Sequence, residues 1–263
     1  MARYSIFTKP WRTLPIPEMI QTVKSMGYNA IEFPLRDDAQ VSPAQAEEKL
    51  PLLVKELADN DIVIDDVAST PEERVFAACA ANHIPMIRVM FSPPPLKPYI
   101  QEEEAYLRLV ESWIPLCEKY GVMVGIQMHY GTGCSNTAEM MRIVSRFDKR
   151  SIGAIWDAGH SGLAGEVCEQ AIDLCWSHLC LVNFKAARYV MQNRGPDQSA
   201  VFEPYFCPGP DGQCSWPRAV KHLRAKGYTG TWCLPAEYTR LTGDEETANA
   251  MRDLAWLKSL VER

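Results

Sequence analysis

Nine polar side chains in this sequence are of the types that move protons or steady charge: Glu32, Arg88, Gln127, His129, Asp157, His160, Asn183, Lys185 and Glu237. Glutamate and histidine serve as general acids and bases near neutral pH, and lysine or arginine can stabilise a developing oxyanion. The primary amides of Gln127 and Asn183 each offer both a donor and an acceptor to a polar ligand. Spacing adds to residue type. Alternate side chains of a strand share a face, so Gln127 and His129 point the same way, as do Asn183 and Lys185. Ordinary structural roles exist for several of them. Asp157 before Ala-Gly suits a turn, Glu32 can pair with Arg3, Arg36 or Arg88, and His129 and Lys185 fit a solvated rim.

The elements that must hold these residues are repetitive. Short β-branched or apolar runs alternate with segments of helical period through eight rounds, with strands expected at 4–7, 30–35, 62–68, 86–90, 122–129, 152–157, 178–185 and 231–235. Several runs are continuously apolar, as parallel strands buried on both faces require. Ser42-Pro43 and Thr70-Pro71-Glu72-Glu73 read as helix starts, the second with a capping box. Tyr106, Leu109, Val110, Trp113, Ile114 and Cys117 make one apolar stripe, and Met251, Leu254, Leu257 and Val261 another. Glycine stands before a strand at Gly27, Gly121 and Gly227, where a left-handed helix cap turns the chain. The series predicts a single (β/α)8 TIM barrel over residues 1–263, with a long loop after strand seven, running from Lys185 to a helix near Ser215. Enzymes on such barrels work at the C-terminal ends of the strands, and all of these polar residues but Arg88 are read as falling there.

Composition narrows the partners. A net charge of −6 argues against a broad nucleic-acid groove or an anionic-membrane footprint. No apolar run is long enough to span a bilayer, and the first residues read as a strand rather than a signal peptide, so a cytoplasmic protein is expected. The nine cysteines lack CxxC spacing and read as reduced, buried thiols, with a disulfide or metal clip between Cys207 and Cys214 as the alternative. No nucleotide-binding motif is read, and a homo-oligomer is left open.

Val-Gly-Ile-Gln-Met-His at 124–129, Ser-Asn-Thr-Ala-Glu-Met-Met at 135–141 and Ile-Trp-Asp-Ala-Gly-His at 155–160 resemble the xylose isomerase-like TIM barrels of the sugar phosphate isomerase/epimerase superfamily. Residues 27–32, Val182-Asn183-Phe184-Lys185 and the stretch from Trp216 to Gly230 extend the resemblance over nearly the whole chain. It implies a small sugar-like substrate and a divalent metal (Mn, Mg, Co or Zn) held by a Glu, an Asp, a His and a Glu after strands five to eight. Such an ion clamps the oxygens of a hydroxy-ketone while a carboxylate removes the proton from carbon. Only Asp157 keeps its place. Gln127, Asn183 and Pro235 stand at the other positions, with Glu237 two residues on. Neutral amides hold hard cations weakly, so a tight metal site is not expected, and any retained ion would rest on Asp157 with Gln127, Asn183 and Glu237.

By the same resemblance Glu32 is the spare base, and His129, His160, Lys185 and Glu237 are further catalytic candidates. Gln127, Asn183 and Arg88 would bind substrate. The implied activity is isomerisation or epimerisation of a small sugar, sugar phosphate or related polyhydroxy ketone by proton abstraction next to a carbonyl. Dehydration of a keto-polyol begins with the same step, and a barrel that has lost its metal and only binds a sugar is the non-enzymatic alternative.

Overall fold

The structure, a computed structural model, describes residues 2–91 and 98–263. Eight parallel strands close into a barrel: β1 (Tyr4–Phe7), β2 (Ala30–Pro34), β3 (Val63–Ala68), β4 (Met86–Val89), β5 (Met123–Gln127), β6 (Ile152–Asp157), β7 (Leu179–Asn183) and, after a two-stranded excursion of β8 (Ala187–Arg194) and β9 (Ala200–Phe206), β10 (Trp232–Leu234). β1 closes the ring against β10 on one side and pairs with β2 on the other. Helices α1 (Ile16–Met26), α2 (Ala46–Ala58), α3 (Glu73–Ala81), α4 (Tyr99–Tyr120) and α5 (Thr137–Val144) alternate with the first six strands. Beyond β6 come α6 (Ala158–Leu163) and α7 (Cys168–Cys175), then α8 (Trp216–Ala225) before β10 and α9 (Asp244–Val261) after it.

The period-two rule sorts the strand residues. Ile31, Phe33, Val124, Ile126, Met128, Trp156, Val182 and Phe184 turn outward into the main core between barrel and helices. The barrel interior has a separate apolar plug of Met86, Ile155, Leu181 and Cys233 with Met123 and Cys180 against it. Two glycines make room for it: a Cβ at Gly125 would lie 2.6 Å from Met86 Sδ, and one at Gly153 2.5 Å from Cys180 Sγ. Above the plug the inward positions become polar, and these carry the candidate site. Two register shifts, at Ile31/Glu32 between β2 and β3 and at Ala154/Ile155 between β6 and β7, each leave one residue without a partner. The first lets two consecutive acids diverge. Asp65 reaches Arg3 at 2.8 Å, while Asp66 pairs in register with Glu32 and is fully buried.

Several local expectations change. The stretch after β7 is an antiparallel hairpin rather than a loop, with Ala187 opposite Phe206 at its base. Helix α3 starts at Glu73, and the capping box expected from Thr70 is not formed. Leu109 and Met251, placed on buried stripes, are each 45% exposed. Cys207 and Cys214 are buried free thiols, and the other seven cysteines are free as well, half-buried at Cys180 and buried elsewhere, so no disulfide joins the two. Gly27, Gly121 and Gly227 do adopt the left-handed conformation, with φ of 86°, 66° and 78°. Among the described residues no helix is long and apolar enough to cross a membrane.

Candidate active site

A small polar chamber of about 50 Å³ lies at the C-terminal end of the barrel strands. Its wall includes Phe7, Lys9, Glu32, Arg36, Arg88, Gln127, His129, Asn183, Lys185, Pro235 and Glu237. Seven of the nine residues singled out in the sequence are in that wall. Asp157 and His160 are not. Both are fully buried behind it, so they act on the chamber through their neighbours.

Two ion-paired units organise the wall. In the first, the Arg88 guanidinium donates to Glu32 and, at 2.5 Å, to Gln127 Oε1, while Gln127 Nε2 donates to Asp157 Oδ2 at 2.8 Å. Asp157 Oδ1 in turn accepts the backbone N–H groups of Gly159 and His160, capping α6. The relay therefore runs across β2, β4, β5 and β6. Burial raises Glu32 above the usual carboxylate range, and Arg88 offsets only part of that rise. Burial likewise pushes Asp157 up to about 6, against the pull of Lys185 and its own hydrogen bonds.

In the second unit Glu237 accepts from Lys185 at 2.6 Å and from Lys9 at 2.5 Å. Burial alone would raise Glu237, but the two ammonium groups hold it well below the carboxylate range. Lys185 keeps its proton despite burial because Glu237 and Asp157 favour the charged form. Between the units stands His129, lowered to about 4 by burial and by the Lys185 charge and hence neutral at pH 7. Its Nδ1 lies 2.8 Å from the Tyr130 carbonyl, which can only accept. The proton is therefore on Nδ1, leaving the lone pair on Nε2. Asn183 Oδ1 is buried and has no hydrogen-bond partner among the described residues.

The His160 ring lies tilted against that of His129 with centroids 3.9 Å apart, near Tyr130 and Phe206; neither ring nitrogen has a hydrogen-bond partner among the described residues, and Nε2 lies 3.8 Å from Asp157 Oδ2. Burial, then Lys185, depress it far below 6.5. The unfolded chain thus binds a proton below pH 6.5 that the folded state refuses, and stability drops as pH falls through that range. His160→Phe removes this term. Its stability relative to wild type is expected to rise as pH falls below about 6.5, by up to about 1.4 kcal/mol per pH unit. Urea unfolding at several pH values reads the difference, and a flat difference would refute it.

Gln127 lies in the chamber wall with both ends of its amide engaged, by Arg88 and by Asp157. Lys9 and Phe7 were not singled out from the sequence, and Arg36 entered only as an ion-pair partner for Glu32. Lys9 was findable, since it sits two residues past the end of β1 just as Lys185 sits past β7.

The family-type metal does not fit this donor set. Gln127 Oε1 faces a guanidinium, both Glu237 oxygens are taken by lysines, and the position expected to supply a second glutamate is Pro235. Asp157 is the one family ligand in place, and a divalent ion beside it would meet the field of Lys185 and Arg88. Millimolar manganese or magnesium is expected to leave the melting temperature unchanged. A clear, saturable rise would show that the folded state binds the ion after all.

Comparison with known proteins agrees with the architecture. The family model for xylose isomerase-like TIM barrels matches residues 20–260. A curated relative, an inosose dehydratase of Bacillus licheniformis, is 25% identical over 179 residues, which is 64% of this chain and 56% of the relative. The chain thus spans just over half the length of that enzyme. Among solved structures, a D-psicose 3-epimerase crystallised in the presence of D-fructose superposes with a TM-score of 0.74 at 15% identity, covering 99% of this chain and all of that one. A xylose isomerase-like barrel protein from Mycobacterium smegmatis, solved in complex with magnesium, gives 0.71 at 13% identity over 99% of this chain and 97% of that one. At such identities the superpositions speak for the fold, and the matched model for the lineage: the chain belongs to the xylose isomerase-like TIM barrel family.

Proposed function

We propose that this protein is an isomerase or epimerase of a small polyhydroxy ketone, acting by removal of the proton next to the carbonyl. The observation that carries the reading is a buried carboxylate, Glu32, and a buried ammonium, Lys185, facing one chamber, each held by its own counter-ion. Glu32 is the base. Burial brings it closer to neutrality, where a general base is most effective, and Arg88 fixes its orientation. Lys185 lies where it can stabilise the oxyanion that develops on the carbonyl. His129 Nε2 and Asn183 Oδ1 are acceptors for substrate hydroxyls, and Asp157 and His160 brace Gln127 and His129 from behind.

Incubation with a panel of ketoses in deuterated water tests this directly. Deuterium should enter at the carbon next to the carbonyl, and its absence with every ketose would overturn the reading. Dehydration of a keto-polyol is the second reading, favoured by the inosose dehydratase relatives. It shares the first step and differs in losing hydroxide from the neighbouring carbon. Product analysis separates the two, since only the dehydratase yields a product lighter by one water.

A further inference from the structure

The charges lining the chamber do not balance. Lys9, Arg36, Arg88 and Lys185 face it against two lining carboxylates, Glu32 and Glu237, in a protein whose net charge is −6; behind the wall, buried Asp66 acts on Arg88 and buried Asp157 on Lys185, and neither reaches Arg36. Glu32 is spent on Arg88, and Glu237 is shared by the two lysines. Arg36 has no hydrogen bond or ion pair from its side chain among the described residues. The acids that follow it in the chain do not supply one: Asp38 is taken by Arg12 at 3.0 Å, and Asp37 is exposed and makes no ion pair with Arg36. The stretch 92–97, Ser-Pro-Pro-Pro-Leu-Lys, contributes no carboxylate to the chain.

Arg36 and Arg88 flank the same aromatic ring, with guanidinium carbons 5.8 and 4.6 Å from the Phe7 centroid. Burial and the Arg88 charge disfavour the charge on Arg36, and Glu32, Asp38 and Glu237 offset only part of that. Two guanidiniums held close without enough counter-charge form an anion receptor, because an oxyanion between them relieves the repulsion and can accept charge-assisted hydrogen bonds. A neutral sugar would leave that charge uncompensated.

We propose that the substrate is an anionic polyhydroxy ketone, whose carboxylate or phosphate is received by Arg36 at the Phe7 side of the chamber while its carbonyl lies between Glu32 and Lys185. The proposal rests on the proton-abstraction reading for the second half only. Arg36 is a binding residue here and touches no reacting atom.

The test compares three ligands on one ketose skeleton: D-fructose, D-fructuronate and D-fructose 6-phosphate. Binding is followed by calorimetry at low and high salt, and proton exchange in deuterated water. At least one anionic ketose is expected to bind about tenfold or more tightly than fructose, with the advantage shrinking at high salt. Which one does so tells carboxylate from phosphate. Arg36→Gln should erase that advantage and raise KM for the anionic ketose about tenfold with kcat within a few-fold of wild type, and Arg36→Lys should restore part of it. Equal or better binding of fructose overturns the anion proposal, even if fructose exchanges its proton. Tight, Arg36-dependent binding of an anionic ketose with no exchange upholds the anion site and overturns proton abstraction instead. No advantage for either anion and no exchange overturns both.

Discussion

Lys185→Met is expected to slow deuterium exchange into the substrate by about 10²- to 10³-fold, the effect of removing one preorganised donor to a developing oxyanion. Methionine keeps the length and apolar stem of lysine and removes only the charge. The loss should fall on kcat rather than KM, because the ammonium matters most when negative charge has moved to the carbonyl oxygen. The fold should tolerate the change, since Glu237 retains Lys9 at 2.5 Å and sits at the chamber wall. A circular dichroism melt controls for unfolding. An exchange rate within about threefold of wild type in a folded variant would remove Lys185 from the mechanism.

Arg88→Met is expected to have the largest effect on stability. Arg88 and Glu32 are 4% and 1% exposed, and Asp66 lies beside them with neither oxygen bonded among the described residues. Removing the cation strands a buried carboxylate, which typically costs about 3–5 kcal/mol. The pair Glu32→Gln and Arg88→Met together should recover most of the loss, because residue 32 then carries no charge and burial already favours the neutral form of Asp66. The pH dependence has a definite sign. Without Arg88, Glu32 rises further above its unfolded value, so the penalty is full at neutral pH and fades as falling pH protonates the group in the folded state. Urea midpoints at pH 7 and pH 5 measure this. A single variant as stable as wild type at pH 7 would mean that Arg88 does not hold Glu32 charged.

Much of this was written along the chain. Every barrel strand was legible because a parallel strand covered on both faces must be apolar almost throughout, as in Val-Gly-Ile at 124–126 or Ile-Gly-Ala-Ile-Trp at 152–156. The mouth of the barrel was legible because polar residues at strand ends had few other places to go. The pairings inside it were not. Glu32 meets Arg88 across 56 residues and Lys185 meets Glu237 across 52, and only closure of the ring brings them together. Neither a glutamine hydrogen-bonded between Arg88 and Asp157 nor an unpaired Arg36 leaves a local trace. The hairpin was missed for a different reason. Its strands are largely exposed, β8 is rich in Arg, Gln and Asn, and Gly195-Pro196 and Pro204 read as loop punctuation because the period-two signal depends on a buried face that β8 largely lacks.

The hairpin also bears on how the molecule behaves in company. Closure of the barrel leaves no free strand edge, whereas both strands of a two-stranded ribbon are edges. Val201 and Phe202 on β9, with Tyr189 and Met191 on β8, are exposed, which is the makeup of a segment prone to recruit further strands. Glu203 and Pro204 interrupt that run, one with charge and the other by lacking the amide donor that a growing sheet needs. Pro204, which reads as loop punctuation in the sequence, thus has the character of a gatekeeper in an exposed ribbon.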